Sequence, residues 1–261
     1  MVVLKTAREL ALIREAARVA TEVQERLARE AVSAGVTTRD IEQFAVHLIQ
    51  CRGASSHLAG YRGFPGSVCI SLNEEVLHGI PGHRKIQEGD VVKVIIGVVK
   101  NGFHAHKTST YYVSPASDEA QRLVATTRRA LAVAADAARP GNRVSHISEA
   151  IQGTAAQEGF GVIRRFGGHG IGASAHEEPF IPNFVSANGQ ADLILAPGMV
   201  FTIEPMLTAG ASDVRIREDG WTVVTADGSL AAHCEHTIAI TENGAEVLTA
   251  DLSVDRIPKE G

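Results

Sequence analysis

One stretch constrains this chain more than any other: Gly167 to Pro179, which reads Gly-Gly-His-Gly-Ile-Gly-Ala-Ser-Ala-His-Glu-Glu-Pro. Gly167, Gly168, Gly170 and Gly172 crowd around the single imidazole of His169. Glycines at that density let backbone pass close to a ligand or to another strand, at a cost of roughly 0.5–1 kcal/mol each inside regular structure. Close packing and a ligand-binding loop are both open readings. His176-Glu177-Glu178 then adds an imidazole and two carboxylates before Pro179, which cannot continue a helix. Metal binding or acid–base chemistry here requires partners from the rest of the chain.

The bulk properties narrow where those partners act. With 261 residues, 44% hydrophobic and 21% charged, the chain has the make-up of an ordinary globular protein large enough for a sizeable core. A net charge of −5 gives no basic footprint for nucleic acid. No apolar run approaches the roughly 18 residues that span a bilayer, and the first residues lack a signal-peptide pattern. Cys51, Cys69 and Cys234 have no CxxC spacing, so neither a disulfide framework nor a thiolate zinc site is expected. The expectation is a cytosolic protein without nucleic-acid or membrane partners.

Helical periodicity runs over residues 6–33, with Thr6 and Glu9 placed to cap it, and Leu10, Ile13, Ala17, Ala20 and Val23 on one face. A second helix follows Gly35, from Thr38 to about Cys51. The same order, long helix, glycine break, short helix, recurs over 116–138 and 145–158. Gly35…Ile41 and Gly141…Ile147 are spaced alike, so the chain reads as one domain, 1–261, with an internal duplication. Two halves of that kind would enclose one cleft. The expected class is α+β.

Strands carry the candidate chemistry. Expected strands cover Ser67–Leu72, Val91–Lys100, Phe103–Val113, Met199–Glu204 and Ala231–Thr241. Asn101-Gly102 is a tight-hairpin signal. A two-residue loop there pairs Gly97 with His106 and Val99 with His104. That register puts Ile95, Gly97, His104, His106 and Thr108 on one face and Lys107 on the other; a shift by one residue would reverse the faces. Glu204 and Glu235 each interrupt an apolar strand, and a carboxylate is costly to bury unpaired. Period two groups Glu235 with His233. Two such glutamates with His169 suggest a shared metal.

These residues resemble a known family. Gly167–Pro179, Ile203-Glu204-Pro205, Glu235-His236-Thr237, Ser67–Asn73, His78-Gly-Ile-Pro81 and Asp219-Gly-Trp221 together are similar to type I methionine aminopeptidases, in order and over essentially the whole chain. The resemblance implies the pita-bread fold, two pseudo-symmetric α+β halves around a metal-site cleft. It also implies two divalent metals held by two aspartates, a histidine and two glutamates. His169, Glu204 and Glu235 match that set, whereas the aspartates fall at Ile95 and His106. The remaining donors, His106, His169, Glu204 and Glu235, are expected to hold one divalent transition metal: Fe, Mn, Co or Zn suit such a mixed set. His233 is a candidate extra ligand or outer partner. The resemblance further implies a substrate pocket at Leu58, Tyr61, Phe64, Cys69, Ala175 and Trp221, with Ala175 in place of a bulky aromatic. His78 and His176 match histidines that contact substrate and stabilise the hydrolytic intermediate.

Three functions follow as expectations. The first is a metal-dependent hydrolase with Glu204 as general base, acting on a short peptide or small molecule and poor at removing N-terminal methionine. The second is a different mononuclear reaction, of oxygenase or lyase type. The third is a non-catalytic binding module.

Overall fold

The computed structural model describes residues 2–185 and 192–251. Four α-helices frame the described residues. In α1 (Ala7–Glu30) the Thr6 hydroxyl accepts the Glu9 N–H at 3.3 Å, and the Glu9 carboxylate accepts the Thr6 N–H at 2.8 Å. This is the reciprocal cap that the sequence announces. The helix stops at Glu30, short of the expected residue 33, and the chain turns through Gly35 at φ +90. Thr37 and Asp40 cap α2 (Thr38–Cys51) in the same way. α3 (Asp118–Ala137) starts after Ser117, whose hydroxyl accepts the Ala120 N–H, and α4 (Val144–Gln157) follows.

The strands form a nine-stranded antiparallel sheet among the described residues. Its central order is Val91–Lys100, Phe103–Tyr112, Glu235–Thr241, Val200–Ile203, Gly167–Gly170 and Glu177–Pro182. The hairpin at Asn101-Gly102 has the expected register, with Gly97 opposite His106 and Val99 opposite His104. Period two then divides the first strand. Val92, Val94, Ile96 and Val98 pack with Ala16, Ala20, Val23 and Leu27 of α1, while Ile95 packs into a separate cluster with Leu58, Phe64, Cys69 and Met206. α3 and α4 cover the other end, against Phe201, Ile203, Ile238 and Ile240.

The expected single strand 231–241 is two strands. Ala231–His233 pairs with Met206–Thr208 in a small sheet, placing His233 opposite Met206. Glu235–Thr241 joins the large sheet beside Val200–Ile203 and Phe103–Tyr112. The break at Cys234 faces the break at Glu204-Pro205, and the Cys234 N–H reaches the Pro205 carbonyl at 3.2 Å. Proline has no N–H to continue a ladder, so both chains change sheet at the same level. That exchange brings His233, Glu204 and Glu235 together.

The glycines around His169 serve backbone approach. A Cβ on Gly168 would lie 2.0 Å from the Thr202 carbonyl oxygen, and one on Gly170 would lie 2.2 Å from that of Glu178. The close-packing reading therefore accounts for these two glycines. His169 is carried to the cleft by a strand that only glycine can seat there.

Candidate metal centre

A cavity of about 270 Å³ opens on the sheet face that carries Ile95, His106 and Glu235. Its lining includes His78, His106, His169, His176, Glu204 and Glu235, together with Leu58, Tyr61, Phe64, Cys69 and Trp221. Residues read from distant parts of the chain thus meet around one space. Ala175, expected in the pocket, is buried and is not among the lining residues.

Each donor is held from behind. His169 sits in its strand with its N–H on the Thr202 hydroxyl at 2.9 Å, and its Nδ1 lies 2.9 Å from the Gly170 carbonyl oxygen. A carbonyl can only accept, so Nδ1 carries the proton and Nε2 keeps its lone pair for the cavity. Nε2 lies 3.3 Å from Glu204 Oε1. The Thr202 hydroxyl also donates to that Glu204 oxygen at 2.6 Å. The Thr237 hydroxyl accepts the His106 N–H at 3.0 Å and donates to the His106 carbonyl at 2.9 Å, stitching the two strands at the ligand positions. The Thr108 hydroxyl donates to Glu235 Oε2 at 2.5 Å, leaving Oε1 3.5 Å from His106 Nδ1.

Burial dominates the electrostatics. It holds His106 well below its ordinary pKa and lowers His169, so both are neutral and offer lone pairs. The same burial, reinforced by mutual repulsion, raises Glu204 well above the carboxylate range, and burial also raises Glu235. His78 is pushed down to about 4 and His176 to about 3, again mainly by burial.

The donor set fits a divalent transition metal. His106 Nε2 and Glu235 Oε1 are buried with no hydrogen-bond partner, a costly condition that a cation relieves. His106, His169 and Glu235 each present a donor atom within 4.8 Å of the others, and so do Glu204, His233 and Glu235. The four donors expected as one set are therefore spread over two triads that share Glu235, with His233 entering the second.

Three further cavity residues, His57, Leu77 and Arg62, escaped the sequence reading. His57 stacks on His106 at 4.3 Å between ring centres, with only 12° between the planes. A Cβ on Gly97 would lie 2.0 Å from its Nδ1. A lone glycine within a β-branched strand signals such close approach, and Gly97 was the available clue. Arg62 also lines the cavity, in the left-handed region at φ +50; the sequence held no signal for it.

This arrangement of buried histidines and glutamates on a curled antiparallel sheet belongs to a class of metallopeptidases: metallopeptidase family M24 matches residues 11–242, and the chain is a member of that family. It is 43% identical over 249 residues to methionine aminopeptidase 1 of Bacillus subtilis, covering 95% of this chain and 99% of that one. It is 40% identical over 248 residues to the methionine aminopeptidase of Escherichia coli, covering 94% and 93%. The solved methionine aminopeptidase of Thermotoga maritima superposes with a TM-score of 0.91 at 38% identity, over 95% of this chain and 99% of that one. Prolidase from Pyrococcus furiosus shares the fold at 22% identity, with a TM-score of 0.76. The fold is the pita-bread fold that the sequence resemblance implied, and the chain is a metallopeptidase-like enzyme.

Proposed function

We propose that this chain is a metal-dependent hydrolase of short peptides or aminoacyl compounds, with one tightly held catalytic ion and poor activity on N-terminal methionine. The observation carrying this reading is the meeting of His106, His169, Glu204 and Glu235 with His78 and His176 on one cavity. In this reading His106 and Ile95 stand where relatives use aspartates, so two carboxylates remain near the ion instead of four. Two carboxylates neutralise one dication, which favours a single tight site.

A divalent metal supplies Lewis-acid polarisation and acidifies water. The chain's own groups do the rest. Glu204, facing the cavity, takes the proton from the attacking water. The water oxygen bonds to the substrate carbonyl carbon, the C–N bond breaks, and the proton passes to the leaving amine. Tyr61 Oη lies 3.0 Å from His176 Nδ1. With the phenol donating, His176 Nε2–H is free to hydrogen-bond the carbonyl oxygen as charge builds there, and His78 acts beside it. Tyr61, Phe64, Leu58, Cys69 and Trp221 receive the apolar side chain, and Ala175 leaves room behind it. The repeated helix pairs are the imprint of an internal duplication within one domain.

The test compares Met-peptides with larger aminoacyl substrates for wild type, His169→Ala, His176→Ala and Ala175→Phe. Metal-dependent turnover that prefers the larger compounds, falls in both histidine variants and shifts towards Met-peptides in Ala175→Phe supports the reading. Equal turnover in His169→Ala refutes it.

A second reading rests on the composition of the first triad. His106, His169 and Glu235 are two imidazoles and one carboxylate, the donor set of non-haem iron oxygenases. Dioxygen consumption by the Fe(II)-loaded protein with an organic co-substrate, and no hydrolysis, would favour it. Failure to bind any metal would favour a binding module instead.

A further inference from the structure

Two residues of the glycine-rich stretch, Gly172 and Glu177, take no part in the metal centre, and both meet Lys5. Between Gly170 and Glu177 the chain forms neither helix nor strand, so no ladder of backbone bonds holds His176. Side chains hold it instead. The Glu177 carboxylate organises the loop: Oε1 accepts the Ser174 N–H at 3.0 Å, and Oε2 accepts from Lys5 Nζ. The Lys5 and Glu177 side chains are only 3% and 15% exposed. A buried charge is costly unless paired, and each of these supplies the other's partner. Room for the lysine comes from residue 172, where a Cβ would lie 2.7 Å from Lys5 Nζ. Gly172 in turn donates its N–H to the Ser174 carbonyl at 3.0 Å, and its own carbonyl accepts the His104 N–H at 2.9 Å.

Lys5 is itself fixed from outside the cleft. Its N–H donates to the Gly198 carbonyl at 2.7 Å, and the next residue, Thr6, is locked into the reciprocal cap of α1. The ammonium thus ties the start of α1 to the loop that carries His176. We propose that Lys5 is a positioning residue for the reaction, acting through Glu177 to hold His176 against the substrate carbonyl. The proposal rests on the preceding reading for the role of His176. The His176 ring lies 4.0 Å from that of His169, centre to centre, and its Nδ1 is 3.0 Å from Tyr61 Oη. Those contacts orient the ring, while the grip on Glu177 places the backbone beside it. Neither Lys5 nor Glu177 lines the cavity, so their effect falls on the loop and not on the ion. Misplacing a reacting group by about 1 Å can cost about 100-fold in rate, which gives such a clamp its leverage.

The test measures hydrolysis of a Phe-Ala peptide by the metal-loaded full-length protein. Lys5→Met should lower kcat by about 10-fold, inside the range that small misplacements cost, with KM and Co(II) affinity nearly unchanged. Glu177→Gln keeps an oxygen for the Ser174 N–H but not the charge; it should do the same, and Lys5→Arg should recover most of the rate. In the His176→Ala background the Lys5→Met loss should vanish, because residues acting as one unit are not additive. A kcat equal to wild type overturns the proposal, and so does a Lys5→Met loss that persists without His176. A matching fall in Co(II) affinity would make the pair a general support of the fold and overturns it too. If Lys5→Met does not fold, Glu177→Gln carries the same comparison. If wild type does not cleave the peptide, the preceding reading is lost and hydrogen exchange decides on the clamp. Faster exchange of the Ser174 amide in the variant then supports it, and unchanged protection removes it.

Discussion

Two buried polar regions of this molecule obey opposite rules. Lys107 and Lys93 are among its largest fully buried side chains, yet each ammonium is satisfied. Lys107 Nζ donates to the Thr249 carbonyl at 2.6 Å and to Asp251 Oδ1 at 2.7 Å. Lys93 Nζ donates to the carbonyls of Asn73 and Val91. On the cleft face, His106, His233 and Glu235 are as deeply buried, His57 less so, and all four hold buried polar atoms without hydrogen-bond partners. Burial alone therefore does not mark a functional site. The cleft stands apart because several unsatisfied groups converge there on one cavity, where a bound cation would complete their bonds.

The largest effect should come from the unsatisfied side. His169→Ala removes the donor whose tautomer is fixed by Gly170, and should lower affinity for the catalytic ion by more than about 100-fold, beyond the usual loss for outer groups. Calorimetric titration with Co(II) measures this, and an unchanged affinity would erase the distinction drawn above. Smaller is Lys107→Met on the satisfied side. It leaves the buried Thr249 carbonyl unpaired and should cost roughly 1–3 kcal/mol in urea unfolding. No loss would mean that those bonds add little.

The smallest effect concerns pH. Burial pushes the Lys93 ammonium down from 10.5 to about 7. Between those values the unfolded chain binds a proton that the folded chain has released, so stability relative to Lys93→Met should rise with pH from about 7 towards 10.5. Below about 7 both states carry the charge and the full burial cost is present. Urea midpoints at pH 6.5 and 9 check the sign, and a fall over that range contradicts it.

Much of this was legible in the sequence, for identifiable reasons. Asn101-Gly102 set the hairpin register, which in turn placed His106 on the cleft face and Lys107 behind it. Thr6, Glu9, Thr37 and Asp40 marked helix starts through their caps. His169, Glu204 and Glu235 stood out as polar residues in glycine-rich or apolar surroundings. Other features depend on contacts between distant segments. The break at Cys234 is set by Pro205 across the sheet, which no local pattern around Cys234 reveals. The glycines beside His169 answer to Thr202 and Glu178, so their spacing alone did not separate packing from ligand binding. His57 reaches the site only because Gly97, on another strand, lacks a side chain.

We propose that Ile95 and His106 stand where relatives carry aspartates, and that weak methionine removal follows from that difference. The direct measurement is kcat/KM on a Met-Ala peptide for wild type and for Ile95→Asp/His106→Asp, each loaded with the same metal. The double variant should exceed wild type by about 10-fold or more, the scale of other changes around metal sites. Wild-type activity equal to that of the double variant would contradict it.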